Sequence, residues 1–404
     1  MEVTVRALVV AVAALVLGVV TPALPQVSDQ ERLRHAVDYL LASQLPSGLF
    51  RYDFDFLADR PVEGDHIVRQ VGAACFLAEH YLHARDRRVR LAIEAALKTF
   101  GELSLTIGKS PLQSALEHAR LLSLPIGRYK LRAALERTGL LYRSTGEGKV
   151  VTPDGKYNSA ETGATAVGLL AELQYYQATG DNRFGNLRSA WLKGLMSLRI
   201  PGRGFRVTPD SINESPFYDG EAWLALAYYH ELFPHDKSVS SLLNSLDTYL
   251  MTRYASEVST GFYQWGTMAA ARRLTVTSNT DYLNFIRTQA LTLLGAPRPN
   301  RWRGDNSCAE VEGLATAARV LRAHKDPDRV LLERIRVRVN EEMEKNRRLQ
   351  IPPKATRMMF ADGVYLSSPN LRDFSGAFLE GSLRPYTRID HTLHCVSALI
   401  KLTQ

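Results

Sequence analysis

Apolar runs with helical spacing alternate along this chain in two kinds. In one kind nearly every face is hydrophobic and rich in alanine, as in Ile67 to His83. In the other, one side is charged, as in Arg87 to Leu103. A helix apolar all round is buried and a two-faced one lies outside it, so each pair predicts an inner and an outer helix. The pairing recurs as Ala160 to Gln177 with Asn182 to Ser197, and as Gly220 to Leu232 with Ser238 to Tyr254. It returns as Gln264 to Val276 with Asp281 to Leu294, and as Glu310 to Ala323 with Asp328 to Arg348. A last inner run, Asp390 to Leu402, has no outer partner after it, and the helix Gln30 to Ser43 is predicted to supply one and close a ring.

Short polar knuckles join the two members of each pair and carry Asp86, Asp181, Asp236, Asp281 and Asp326, spaced 95, 55, 45 and 45 residues apart. A hairpin unit of roughly 45 to 55 residues is therefore repeated, and the first gap has room for two. Pro111 to Leu141 should hold the extra pair, and residues 142–157 read as an excursion of loop or short strands. Two loops that follow outer helices share a signature: Gln44-Leu45-Pro46-Ser47-Gly48-Leu49-Phe50 and Arg199-Ile200-Pro201-Gly202-Arg203-Gly204-Phe205. Proline stops the helix, glycine permits a left-handed turn, and the aromatic returns to the core.

This combination resembles the (α/α)6-toroid carbohydrate-active proteins, the six-hairpin glycosidases, sugar 2-epimerases and glucuronyl C5-epimerases, without singling out one family. The resemblance implies an all-α toroid of about six to seven helical hairpins and a carbohydrate substrate. An open helical solenoid has repeats of similar length but does not usually carry such loops.

In a toroid the parallel inner helices bring their N-terminal ends to one mouth. The starts here pair acids with aromatics: Asp65 with Arg69; Tyr157 before Glu161; Tyr218, Asp219, Glu221 and Trp223; Tyr263 and Trp265; Glu310 and Glu312; Arg388, Asp390, His391 and His394. Acids also favour the first turn of any helix as caps, so single residues carry little weight. Glu221, Glu312 and Asp390 are the candidate catalytic carboxylates, because each leads directly into an apolar helix where burial raises a carboxyl pKa into the range of a general acid. Glu161 is a weaker catalytic candidate, since Asn158 and Ser159 before it make an ordinary cap, and the others named are candidate substrate-binding residues. Asp65 and Arg69, four apart, are expected to share a helix face as an ion pair. Glu310 and Glu312 point to different faces, so at most one enters the pocket. No metal is expected, since His391 and His394 lack the His-Glu-x-x-His pattern, and no cofactor is called for. Gly-x-Ser-x-Gly and Cys-x-x-Cys are absent.

Composition adds the setting. With 45% hydrophobic and 23% charged residues the chain can bury a large core, and 26–404 reads as one domain after a leader of 1–25. The apolar run Ala7 to Val20 is shorter than the roughly 20 residues of a membrane span and precedes Thr21-Pro22-Ala23, so a cleaved signal peptide is favoured over an uncleaved N-terminal anchor. The protein is then periplasmic or secreted, with a membrane tether only if the segment stays. A net charge of +8 mildly favours an acidic polysaccharide or oligosaccharide partner, and export argues against nucleic acid. Cys75, Cys308 and Cys395 are too few for a disulfide framework and read as buried thiols, with one bridge, for instance Cys308 to Cys395, left open for an oxidising compartment.

The leading functional reading is a glycoside hydrolase, of inverting type by the resemblance. A uronate C5-epimerase or polysaccharide lyase, with Arg69 or Arg388 holding the substrate carboxylate, is the alternative within enzymes. A helical scaffold that binds a glycan or protein without turnover is the alternative outside them.

Overall fold

A computed structural model describes residues 27–107, 148–255, 259–296 and 304–403. The leader, the pair expected over Pro111 to Leu141, and residues 142–147 of the expected excursion lie outside them.

Among the described residues, six inner helices form a ring: α2 (Ile67–Ala84), α4 (Thr162–Thr179), α6 (Pro216–Leu232), α8 (Thr260–Thr277), α10 (Cys308–Ala323) and α12 (Ile389–Thr403). Each packs on the next, and α12 packs on α2, which closes the toroid and rules out an open solenoid. α2 packs directly on α4. Outer helices α3 (Arg87–Glu102), α5 (Gly185–Ser197), α7 (Lys237–Arg253), α9 (Thr280–Gly295) and α11 (Arg329–Arg348) back the first five, and α1 (Asp29–Ser43) backs α12 as the pattern predicts.

The knuckle aspartates divide. Asp86 and Asp236 are N-caps, accepting from Arg88 N and from Ser238 N and Val239 N. Asp181, Asp281 and Asp326 are not, and Asn279 and Asp328 cap α9 and α11 instead. Caps recruit any nearby short acceptor, so the recurrence marks the turn better than the residue.

Strands decorate the mouth. Strand β3 (Ser104–Thr106) pairs antiparallel with β4 (Lys149–Val151), which meets the strand expectation for the described part of the excursion. A four-stranded sheet, unforeseen in the sequence, has the order β2-β1-β8-β7, with β1 (Asp53–Asp55), β2 (Arg60–Pro61), β7 (Leu379–Gly381) and β8 (Arg384–Arg388). A separate hairpin is formed by β5 (Arg357–Ala361) and β6 (Val364–Ser367).

The two Pro-Gly-Phe loops are built alike. Gln44 bridges to Phe50 and Arg199 to Phe205, and each returning phenylalanine gives its backbone N–H to a buried side chain of an inner helix. Gln70 Oε1 of α2 accepts from Phe50 at 2.7 Å and Asp219 Oδ1 of α6 from Phe205 at 2.8 Å. A third copy escaped the sequence reading. Gln350-Ile351-Pro352 starts it, the β5–β6 excursion interrupts it, and Phe378 bridges back to Gln350 and donates to Thr392 Oγ1 of α12. These loops tie outer-helix ends to inner-helix starts and so fix the rim of the mouth.

The cysteine reading is corrected in part: Cys75 is a buried free thiol, but Cys308 and Cys395 are joined, with Cα atoms 4.8 Å apart. Ring closure brings α10 beside α12 and makes the bridge geometrically available. Among the described residues no helix is long and apolar enough to cross a membrane.

Candidate active site

A cavity of about 380 Å3 opens where the inner helices begin. Its walls include His66 and Arg69 from the start of α2, Phe217, Tyr218 and Glu221 from α6, Trp265 from α8, and Arg388, Asp390 and His394 around the start of α12. Pro216 opens α6 four residues ahead of the predicted start, because its fixed φ suits the first helical position. Tyr218, Asp219 and Glu221 therefore all lie within the helix.

Glu221 is buried, and its Oε2 has no hydrogen-bond partner. Burial, reinforced by the charge of Glu161, raises its pKa well above the usual carboxylate range and so favours its protonated form. Gly163 makes room for it, since a Cβ there would strike the Glu221 carboxyl and the Tyr218 ring. Tyr218 donates to Glu161 Oε1 at 2.8 Å, and His66 Nε2 lies 3.5 Å from Glu161 Oε2. Glu161 was a lesser candidate in the sequence because Asn158 and Ser159 before it resemble an ordinary cap.

Asp390 has the opposite environment. Arg388 grips it with Nε at 2.7 Å and a second nitrogen at 3.0 Å, and Arg69 Nε lies 3.1 Å away. Burial works to raise its pKa, but His391, Arg388 and Arg69 outweigh that and hold the carboxyl well below its ordinary range. Arg69 also bonds the Tyr52 hydroxyl.

His394 faces the cavity edge-on to Phe76 and Trp265, with centroids at 5.4 and 6.2 Å. Behind it, Glu312 Oε1 meets Nδ1 at 2.9 Å. Burial lifts the Glu312 pKa against the pull of His394, and Glu312 lifts that of His394 against its own burial. Glu312 is fully buried and reaches the cavity only through His394. His391 turns elsewhere: its Nε2 faces Arg388 at 3.2 Å, and burial lowers its pKa to about 4, leaving it neutral. The two histidines thus take separate partners.

The remaining predicted residues fall away from this cavity. Asp65 precedes α2 and accepts from Gln70 Nε2 at 2.9 Å, so the expected Asp65–Arg69 ion pair is replaced by Arg69–Asp390. Glu310 points outward to Arg338, 2.8 Å away, as its two-residue offset from Glu312 requires. Tyr157 donates to Thr106 O on β3. Asp219 accepts from Phe205 N and Tyr254 and so anchors the loop, with its pKa raised to about 7 by burial. Trp223 Nε1 donates to Asp247 Oδ1 at 2.7 Å in the wall against α7. Tyr263 is buried beside Gly313 of α10. Phe217, half exposed at the rim, was not singled out; an aromatic directly after the helix-opening proline was its available signal.

No protein-family model and no curated protein sequence matches the chain. Solved structures do. The GH76A α-1,6-mannanase from Salegentibacter sp. HEL1_6 superposes with a TM-score of 0.59 at 13% identity, over 93% of this chain and 99% of its own. An unsaturated glucuronyl hydrolase specific for heparin gives 0.54 at 10% identity, over 92% and 96%. Cellobiose 2-epimerase from Bacillus thermoamylovorans B4167 gives 0.52 at 11%, over 91% and 97%. At such identities the likeness shows the shared α/α-toroid fold over nearly the whole chain.

Proposed function

We propose that this toroid is a carbohydrate-active enzyme, a glycoside hydrolase working at the N-terminal mouth. One observation carries the reading: Glu221, its pKa pushed up by burial, and Asp390, its pKa held low by the arginines that grip it, line the same cavity beside Trp265 and Phe217. Environments that push two carboxyl groups apart in pKa assign an acid and an anion. Glu221 is placed to protonate the glycosidic oxygen. Glu161, whose charge helps keep Glu221 protonated, is the carboxylate proposed to activate water. Asp390, too acidic to be an effective base, binds sugar hydroxyls and faces the positive charge that develops on the ring. Glu312 acts through His394 as a positioning residue.

Fold neighbours support the substrate class, since variants of the mannanase bind α-1,6-mannotetrose and mannotriose. One such inactive variant is replaced at two adjacent aspartates, whereas this chain has no adjacent pair of aspartates, so its acid and base must be arranged differently. Both arginines proposed for a uronate are committed to Asp390, which favours a neutral sugar here. The Cys308–Cys395 bridge supports an exported protein, as disulfides persist in oxidising compartments.

The test is product analysis on a panel of neutral and acidic oligosaccharides, α-1,6-mannotetraose and cellobiose included. New reducing ends, with the first anomer read by NMR for inversion or retention, support the proposal. An isomerised product without cleavage, or no conversion of any sugar by folded protein, overturns it.

A further inference from the structure

The toroid has a second concavity at its opposite end, where the inner helices finish, and at about 610 Å3 it is larger than the first. The two share a floor, because Phe76 and Trp265 line both. Next to that apolar floor stand Gln174 and Thr316. Thr316 is 1% exposed and its Oγ1 has no partner. A buried hydroxyl left unsatisfied is costly, so its persistence in the wall of a cavity points to a ligand that completes it.

Four cationic side chains, Arg85, Arg272, Arg319 and Lys401, and two carboxylates, Glu79 and Glu231, line this end. Lys401 Nζ lies 2.5 Å from Glu79 Oε1, and Arg272 pairs with Glu231 while stacking on Tyr228, 3.6 Å from the ring centroid. Arg85 turns onto the Ala178 carbonyl at the end of α4. Cations at this end also offset the partial negative charge of the converging helix C-termini. With both carboxylates committed to cations and the remaining cations set against helix C-termini, an amide- and hydroxyl-bearing wall over an aromatic floor suits an uncharged polyol with an apolar ring face.

We propose that this rear cavity is a second binding site for a neutral mono- or oligosaccharide, separate from the mouth holding Glu221. The inference takes its ligand class from the function proposed above. Trp265, standing between the cavities, reports occupancy of either.

The test titrates the full chain with cellobiose and with α-1,6-mannotriose by calorimetry and tryptophan fluorescence, with a uronate-bearing disaccharide as the charged arm. Two binding events per chain are expected for a neutral sugar. Thr316→Val should weaken one of them by about 5–10-fold, the scale of one lost hydrogen bond, and Phe217→Ala at the front rim should affect only the other. A single event that responds to Phe217→Ala and ignores Thr316→Val overturns the rear site and leaves the proposed function standing, and so does rear binding of the charged sugar alone. Absence of any saccharide binding by folded protein sinks both. Retained or raised Tm in Thr316→Val separates lost binding from misfolding.

Discussion

Removal of the Cys308–Cys395 bridge should weaken both the fold and the Glu312–His394 contact behind the mouth. The bond closes a loop of 87 residues between α10 and α12. Chain-entropy arguments put the unfolded-state freedom it removes at about 15 cal/mol/K, or about 4.6 kcal/mol at 25 °C. Spread over the unfolding entropy of a chain this long, that is a fall of about 6 °C in Tm. The local consequence is more specific. Cys308 lies one helical turn before Glu312, and Cys395 directly follows His394, so the bridge sets the spacing of the Glu312–His394 pair. A Cys308→Ala, Cys395→Ala double variant should let α10 and α12 separate and let the His394 pKa fall from its raised position toward the usual value. Urea unfolding gives the first quantity and histidine NMR titration the second. Coincident unfolding midpoints in protein whose bridge is verified by mass spectrometry would refute the stability argument. An unchanged His394 titration in the double variant would refute the spacing argument.

Three further outcomes follow from the site. Glu221→Gln should lower turnover by about 10²–10⁴-fold, the scale of a general acid, while Tm holds or rises, because the buried carboxyl is unpartnered; a large fall in Tm would make Glu221 structural. Gly163→Ala drives a methyl into Glu221 and Tyr218 and should cost about 1–3 kcal/mol by overpacking, with activity falling too; wild-type behaviour in both would contradict the packing described. Asp219 has a folded pKa raised to about 7, so the folded state keeps a proton that the unfolded chain releases near pH 4. Its contribution to stability is full below that pH and is lost as pH rises through 7, and Asp219→Asn should flatten this part of the stability–pH profile. A variant with the same slope as the parent would exclude Asp219 as its source.

The ring was legible because its signals are long. All-apolar stretches such as Ala160 to Gln177 can only be central, and Gln30 to Ser43 was the spare outer helix that a closed ring requires. The strands over 357–388 were not legible: they are short, carry Arg and Pro, and lack alternation long enough to read. The third loop hid because Gln350, which opens it, and Phe378, which returns it, lie 28 residues apart in sequence. At the site the limit was rotational. Asp219 and Glu221 are two residues apart, both acidic and both ahead of an apolar run, yet one anchors the Phe205 loop and the other lines the cavity. Only the helix start at Pro216 and the packing of α4 through Gly163 distinguish them. Likewise Arg69 was assigned to Asp65, four residues away, because sequence spacing cannot show that Asp65 lies outside the helix or that Asp390 arrives from the far end of the chain.

The most direct test is the structure of the Glu221→Gln variant soaked with a neutral oligosaccharide that the parent cleaves. The account predicts a sugar ring at the N-terminal mouth, over Trp265 and within hydrogen-bond reach of residue 221 and Asp390. An oligosaccharide bound outside that mouth, with residue 221 touching no sugar atom, would contradict it.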